Sequence, residues 1–270
     1  MGEVIGLIAI KGGVGKTTLA ASLSTDLANL HKRKVLLIDA NYSAPNLGIH
    51  MDLLEPDRTI HDVLAGKTRL ENAVHSRFGV DVIAGSPEAG LQFNPLKLKD
   101  KITRAKNLYD FIILDASPSM NEEVLSTILA SDHLFVVTTP DIPTLSCSMQ
   151  AAQLAKQRGK PIKGIVINKI RDPGYEVSLK QIENAMQIPV VARIPDDKSQ
   201  VRALFTRIPL PIYKRSSRFS KELHKFSTAL AGRPEKLPLY KKLLPLGFRK
   251  EEVNRQMLKE EFYTRRFASS

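Results

Sequence analysis

The chain has 270 residues, a formal net charge of +12 and a sequence pI near 9.7. Hydrophobic residues make up 43% and charged residues 25%, which is ordinary for a globular protein of one α/β domain with a short extension. No apolar run reaches the ~18–20 residues that a bilayer crossing needs, and the single cysteine, Cys147, excludes a disulfide framework within the chain. The positive charge favours anionic partners, either nucleic acid or acidic lipid.

A glycine-rich segment at residues 11–18 follows the apolar run Val4 to Ile10, which predicts a buried strand. Leu19 then begins a pattern typical of a helix. This strand, loop and helix order is the context of a phosphate-binding loop, in which Lys16 reaches the β- and γ-phosphates and the Thr17 hydroxyl ligates Mg²⁺. The predicted nucleotide contacts in this segment are Lys11, Gly12, Gly13, Val14, Gly15, Lys16, Thr17 and Thr18.

The glycine-rich segment departs from the general phosphate-loop pattern, because Ile10 stands where that pattern has glycine and Lys11 precedes the glycines. The deviant form K-G-G-V-G-K-T-T resembles the MinD/ParA family of P-loop ATPases. The resemblance implies ATP or ADP with Mg²⁺ as ligands. It also implies that Lys11 crosses the interface of an ATP-dependent homodimer to reach the partner's nucleotide.

Asp39 ends the next strand, predicted from the wholly apolar run Val35 to Ile38. Ligands gather at the carboxyl ends of parallel strands, so Asp39 is expected near the phosphates. The loop that follows resembles the family's switch I, in which Asp39 would lie near Mg²⁺. The family usually has a second aspartate two residues on, which orients the attacking water; Asn41 occupies that position and implies slow or helper-dependent hydrolysis.

Two later strand ends complete the predicted site. The run Phe111 to Leu114 ends in Asp115 and resembles a Walker B strand, whose aspartate reaches Mg²⁺. A strand over Ile162 to Ile167 ends in Asn168, which the resemblance assigns to purine recognition. The residues Pro195 and Asp196 follow the last predicted strand, and the resemblance places them against the adenine. The predicted catalytic residues are Lys11, Lys16, Asp39 and Asn41, and the predicted metal-site residues are Thr17, Asp39 and Asp115.

Alternating strands and helices predict a doubly wound, mostly parallel sheet with helices on both faces, the P-loop NTPase fold. We expect an ATPase domain at residues 1–232 and a basic C-terminal extension at residues 233–270. The extension holds a leucine- and lysine-rich segment, residues 237–248, and a helix-prone segment, residues 249–267. It could contact a membrane, dock on the protein's own body, or bind a partner or nucleic acid. Because every motif precedes it, we expect folding and ATP binding without it.

The function predicted from these observations is that of a MinD/ParA-like ATPase. ATP would join two copies, and hydrolysis, stimulated by an activator protein, would switch attachment to membrane or DNA through the basic C-terminal regions. Such a cycle would position cellular components, at a division site or in chromosome or plasmid partition. The expected location is the cytoplasm, peripherally on the inner face of the membrane or on the nucleoid. Two alternatives stay open: a slowly hydrolysing ATP sensor, and a small-molecule enzyme on the same fold.

Overall fold

The computed structural model describes residues 1–88, 93–160, 162–172, 174, 176–232 and 250–267. Its strands form one eight-stranded sheet in the order β3-β4-β2-β5-β1-β6-β7-β8. Every pairing is parallel except that of β3 with β4 at the edge. The strands are β1 (Glu3–Ile8), β2 (Val35–Ala40), β3 (His75–Arg77), β4 (Val80–Ile83), β5 (Phe111–Ala116), β6 (His133–Thr138), β7 (Ile162–Ile170) and β8 (Val190–Pro195).

Helices cover both faces of the sheet, so the expected doubly wound, mostly parallel fold is confirmed. Three short 3₁₀ turns, Leu70–Ala73, Pro95–Lys97 and Arg104–Asn107, complete the connections. The α-helices are α1 (Lys16–Asn29), α2 (Leu47–His50), α3 (Ile60–Leu64), α4 (Leu98–Ile102), α5 (Glu122–Ala130), α6 (Ile142–Gln157), α7 (Leu179–Met186), α8 (Ser199–Phe205), α9 (Leu210–Tyr213), α10 (Arg218–Leu230) and α11 (Lys250–Phe267).

The core lies in two layers, one on each side of the sheet, because successive strand residues point to opposite faces. In β1, Ile5 and Leu7 face a cluster formed with α1, α10 and α11. Val4 and Ile8 face the other side, where α3 to α7 pack. All six residues of β2 and of β5 are buried, as expected for central strands of a covered parallel sheet.

A buried polar network ties α1 to α10. The Asp26 carboxylate accepts a hydrogen bond from the Ser227 hydroxyl and lies 3.1 Å from Nδ1 of His224. Nε2 of His31 lies 3.0 Å from the same hydroxyl, and its ring stacks on that of His224 at a centroid distance of 5.3 Å. Because Asp26 is only 2% exposed, these partners stabilise a carboxylate that would otherwise be costly to bury.

The helix α11 packs on the body of the protein, beside α10 and the edge strand β8. Leu258 and Phe262 are 4% and 2% exposed and belong to the same core layer as α1. Arg255 donates a hydrogen bond to the Val191 carbonyl at 3.2 Å, and Asn254 donates one to the Val190 carbonyl at 2.8 Å. Residues 250–267 therefore dock on the body of the protein, which is one of the three alternatives expected for the extension. This packing argues against the expectation that folding is independent of residues 233–270.

The leucine- and lysine-rich segment at residues 237–248 lies outside the described residues. Within the described part of the chain, no helix combines the length and the apolar character that a membrane span requires. Because Val253 and Met257 are 47% and 66% exposed, α11 presents a mixed surface to solvent rather than one apolar stripe.

Candidate functional site

The loop between β1 and α1 depends on glycine at two positions. Gly13 and Gly15 have φ angles of 79° and 87°, in the left-handed region that L side chains rarely adopt. A Cβ atom at Gly15 would also lie 2.4 Å from Nδ2 of Asn168. At Gly12 and Gly13 a Cβ would meet nothing within 4 Å, so open space adjoins this part of the loop.

The N-terminus of α1 is suited to bind an anion. Gly15 is its N-cap, no side chain caps the first turn, and the first turn has no acidic residue. Its backbone N–H groups are therefore left for another acceptor, and the dipole of this 14-residue helix adds partial positive charge. A phosphate group is the acceptor that such a glycine loop and helix N-terminus bind in P-loop proteins.

A cavity of about 240 Å³ opens at this point, at the carboxyl ends of the strands. All eight residues predicted from the glycine-rich segment line it, together with Asn41. The lining residues are Lys11, Gly12, Gly13, Val14, Gly15, Lys16, Thr17, Thr18, Asn41, Asn46, His50, Pro118 and Lys169.

Asp39 and Asp115 lie side by side beneath the loop, because they are register partners at the ends of β2 and β5. Both are fully buried. Nζ of Lys16 lies 3.5 Å from Oδ1 of Asp115, and neither oxygen of Asp115 has a hydrogen-bond partner. Two buried carboxylates beside one ammonium leave negative charge that a further cation would neutralise.

The carboxylate of Asp39 holds the loop that follows β2. It accepts hydrogen bonds from the backbone N–H groups of Asn41 at 3.1 Å, Asn46 at 3.1 Å and Leu47 at 3.0 Å. Burial first, and the neighbouring charge of Asp115 second, raise the pKa of Asp39 to about 7, against the opposing effect of these bonds and of Lys16. Asp39 therefore positions the loop, whereas Asp115 keeps both oxygens available.

The residues present fit a magnesium ion. Mg²⁺ takes oxygen ligands and retains waters. The site offers the Thr17 hydroxyl in the cavity wall and, beneath the loop, the Asp115 carboxylate, which is paired with Lys16 but accepts no hydrogen bond. Asp39 would act on the ion through its charge, because its oxygens already accept three backbone bonds.

Asn41 is buried in the cavity wall, with an exposure of 5%. Its Nδ2 donates a hydrogen bond to the Ala44 carbonyl at 2.5 Å, whereas its Oδ1 has no partner. This buried oxygen therefore lacks a hydrogen-bond donor, which a water molecule could supply. As a neutral amide, the side chain cannot take a proton from that water as a carboxylate could.

Lys11 stands at the mouth of the cavity, 44% exposed, and is held by the N-terminus of α6 in the same chain. Its Nζ donates to the Thr144 hydroxyl at 2.8 Å and lies 3.5 Å from Oδ1 of Asp141. Burial raises the pKa of Asp141, but hydrogen bonds from Thr139 and Thr144 and the charge of Lys11 outweigh it and lower the pKa to about 2. Asp141 is therefore ionised when it holds Lys11.

Asn168 and Lys169, at the end of β7, support the loop from the side. Nδ2 of Asn168 donates to the Val14 carbonyl at 2.8 Å, and Nζ of Lys169 donates to the Gly13 carbonyl at 2.7 Å. Pro195 and Asp196 lie beside this strand, where the Asp196 N–H bonds the Ile170 carbonyl at 2.9 Å, but they do not line the cavity. The purine contacts of Asn168, Pro195 and Asp196 stay predictions.

The cavity wall includes residues that sequence reasoning did not assign. His50 is one of six histidines in the chain, none of which was assigned to the site, and its Nε2 lies 3.2 Å from the Thr18 hydroxyl. Burial lowers its pKa, although a bond to the Asn46 carbonyl opposes that effect, so the neutral ring can accept from Thr18. Lys169 is adjacent to Asn168, and Asn46 belongs to the loop after Asp39, so their neighbours in the sequence indicate their place. No sequence signal points to His50.

Comparison with known proteins gives a consistent set of similarities. A family model described as an AAA domain matches residues 2–158. An uncharacterized ATP-binding protein of Methanocaldococcus jannaschii is 31% identical over 245 residues, which span 90% of this chain and 92% of that protein. The septum site-determining protein MinD of Thermotoga maritima is 27% identical over 252 residues, which span 88% and 91%.

Solved structures give the same result. The cell division ATPase MinD of Pyrococcus furiosus superposes with a TM-score of 0.80 and 32% identity, covering 84% of this chain and 97% of that one. The MinD protein of Pyrococcus horikoshii, solved in complex with Mg-ADP, has a TM-score of 0.78 and 29% identity, with coverage of 84% and 95%. The match extends over nearly the whole length of both structures.

Proposed function

Because the chain belongs to the MinD/ParA family of P-loop ATPases, we propose that it binds ATP with Mg²⁺, dimerises on ATP and hydrolyses it. Hydrolysis to ADP and phosphate then separates the two copies. The proposed cycle switches attachment to a large anionic surface, membrane or DNA, and so positions cellular components. Cell-division site placement is the leading candidate, because the curated relatives and solved structures similar to the chain include septum site-determining proteins. An activator protein and a cytoplasmic, surface-attached location are part of the proposal.

The observation that carries this proposal is the position of Lys11. It lies at the open mouth of a cavity that Lys16 also lines, with Asp39 and Asp115 buried beneath the loop. One chain thus has a lysine for its own phosphates and a second, outward-lying lysine that can reach a nucleotide bound by a second copy. A phosphate loop serving one chain alone needs only the first lysine.

The residues have separate roles in the proposed reaction. Lys16 and the loop N–H groups bind the phosphates and stabilise the charge that develops on them. Thr17 and Asp115 would hold the magnesium ion, which supplies charge neutralisation at the phosphates when bound. Asp39 fixes the loop that presents Asn41, and Asn41 orients the attacking water. Asn168, Pro195 and Asp196 are proposed to form the side of the site that faces the base.

A comparison of two lysine variants tests the proposal. Lys16→Ala removes the buried ammonium of the phosphate cradle, so nucleotide binding and turnover should fall by at least about a hundredfold. Lys11→Ala should leave ATP affinity within about twofold and abolish ATP-dependent dimerisation. Affinity is measured with a fluorescent ATP analogue, and dimerisation by light scattering coupled to size exclusion with ATP and with ADP.

A third variant, Lys169→Ala, is the control for the loss of a lysine from the cavity. Lys169 donates a hydrogen bond to the phosphate loop of its own chain and does not lie at the mouth of the cavity. It should still dimerise with ATP. If Lys11→Ala dimerises like the parent protein, the proposed role of Lys11 between the two copies is wrong.

A second candidate, an ATP sensor that hardly hydrolyses, is favoured by Asn41 alone. The amide binds water but does not accept its proton, so the bound ATP state would persist. Turnover measured with and without acidic vesicles and duplex DNA separates the two candidates. A switching ATPase accelerates on its attachment surface, whereas a sensor does not.

A further inference from the structure

The helices α8 and α9 contact each other and expose an unusual set of large apolar side chains. Val201 is 73% exposed and Phe205 is 88% exposed, one helical turn apart on α8. Leu204 on α8 and Ile212 and Tyr213 on α9 are 41%, 41% and 40% exposed. We call these five residues the α8–α9 patch; in the described part of the chain nothing covers it. Large exposed apolar side chains gathered on two contacting helices are typical of an interaction site.

The segment that carries the patch is strongly basic. Between Asp197 and Glu222 the chain has seven lysines and arginines and no acidic residue. All seven are exposed, although Arg207 also forms a salt bridge with Asp52 at 3.4 Å. The cations are Lys198, Arg202, Arg207, Lys214, Arg215, Arg218 and Lys221.

We propose that the α8–α9 patch is the attachment surface of this protein, and that its partner is a bilayer with acidic headgroups. The inference rests on the proposed function, whose attachment surface it identifies. Apolar side chains flanked by lysine and arginine match the two layers of such a surface, acyl chains beneath anionic phosphates. Duplex DNA would use the cations but offers no apolar layer to Phe205 and Val201.

The packing of the C-terminal helix supports this assignment. Leu258 and Phe262, the described large apolar residues of α11 with the least exposure, are already buried in the core. They are therefore not available to enter a bilayer while α11 is packed. The patch, in contrast, presents its apolar residues without any rearrangement.

The patch is also connected to the nucleotide side of the molecule. Asp197, two residues after Pro195, accepts a hydrogen bond from the Ser199 N–H at 2.9 Å at the start of α8. Backbone N–H groups of Arg218 and Phe219, at the start of α10, also bond this carboxylate. A shift of the segment proposed to face the base would thus move α8 with it.

A single tryptophan locates the contact directly, because the chain contains none. Phe205→Trp should show a blue-shifted, enhanced emission with phosphatidylcholine vesicles that contain phosphatidylglycerol, and none with phosphatidylcholine alone. The matched control is Met257→Trp on α11, where the native side chain is 66% exposed and no shift is expected. A shift for both tryptophans or for neither overturns the proposal.

Vesicle sedimentation of the full chain tests the energetic role of the patch. Val201→Ser with Phe205→Ser should weaken binding to acidic vesicles about tenfold or more. Arg202→Gln with Arg215→Gln should also weaken vesicle binding, and its effect should be larger at low salt than at high salt. The control, Val253→Ser with Met257→Ser, removes two exposed apolar residues of α11 and should bind like the parent protein.

Three results would overturn the inference. The first is vesicle binding that the Val201 and Phe205 changes do not alter. The second is binding to duplex DNA that the arginine changes abolish and the apolar changes leave intact. The third is a parent protein that does not bind vesicles, together with an apolar variant whose melting temperature is lower than that of the parent. That result would assign the patch to an internal contact with residues 233–249.

The inference and the proposed function fail separately. If patch variants lose vesicle binding while the parent neither dimerises with ATP nor hydrolyses it, the surface assignment stands and the switch fails. If the variants retain ATP-dependent dimerisation and vesicle binding, only the surface assignment fails.

Discussion

The side chain of Asn41 combines an amide nitrogen committed to its own loop with an oxygen left free in the cavity wall. Asn41→Asp should raise the basal ATPase rate about tenfold, because the carboxylate can orient a water and accept its proton. Phosphate release with saturating ATP and Mg²⁺ measures the effect. Asn41→Ala removes both groups and should hydrolyse ATP more slowly than the parent. An unchanged or lower rate for Asn41→Asp at equal ATP affinity would contradict the proposed role of residue 41 in hydrolysis.

The raised pKa of Asp39, to about 7, makes stability depend on pH in a definite direction. The folded protein without nucleotide holds a proton that the unfolded chain releases near pH 3.8. The contribution of Asp39 is therefore complete below that pH and is lost as the pH rises through about 7. The unfolding free energy of the parent should fall over this range, and that of Asp39→Asn should fall less steeply whatever its absolute value.

Urea titrations at several pH values without nucleotide and Mg²⁺ provide this measurement. Asp100→Asn, on the exposed side of α4, is the control and should keep the slope of the parent. Equal slopes for Asp39→Asn and the parent would show that Asp39 does not hold the proton.

The phosphate loop lies between β1, α1 and the end of β7. Gly15→Ala places a methyl group at a φ of 87° and against the Asn168 amide. The backbone conformation alone costs about 1–2 kcal/mol, and the close contact adds to it, so the melting temperature should fall by several degrees. Gly12→Ala, where a Cβ meets nothing, should melt like the parent, and a fall of equal size there would contradict this account.

The sequence predicts the elements whose signals are local. The runs Val35 to Ile38 and Phe111 to Leu114 are wholly apolar, and they form two adjacent interior strands that bring Asp39 and Asp115 together. The strand β3 escapes prediction because its three residues, His-Ser-Arg, contain no apolar residue and pair only at the edge. The helices α8 and α9 were not predicted either, since α8 buries only one of its residues, Ala203.

Part of the cavity lining could be predicted from the sequence, namely the glycine-rich segment and Asn41, but the contacts that these residues make could not. Strand ends and the glycine loop identify the carboxylates and lysines, because the fold gathers them at one edge. The binding of Lys11 by Asp141 and Thr144 joins residues 130 and more positions apart, and no periodicity reports such a pairing. Asp39 accepts hydrogen bonds from the loop and Asp115 does not, and this difference likewise depends on where the backbone N–H groups of the folded loop point.

The helix α11 completes a core layer that begins with β1. Phe262→Ala should lower the unfolding free energy by about 3 kcal/mol, because it opens a cavity beside Leu258 and His133. Urea unfolding followed by circular dichroism measures the change. Met257→Ala, at a side chain 66% exposed on the same helix, should stay within about 0.5 kcal/mol of the parent. Equal effects at both positions would contradict the observed packing.

His133 joins the two ends of the chain. Its Nε2 lies 2.9 Å from the Glu3 carboxylate, and its ring lies 4.9 Å from that of Phe262. A nascent chain therefore cannot finish this core layer until residue 262 has left the ribosome, although the nucleotide-binding residues emerge much earlier. During synthesis the apolar faces of α1 and α10 stay uncovered until α11 has been made. We expect the growing chain to depend on a chaperone most during this interval.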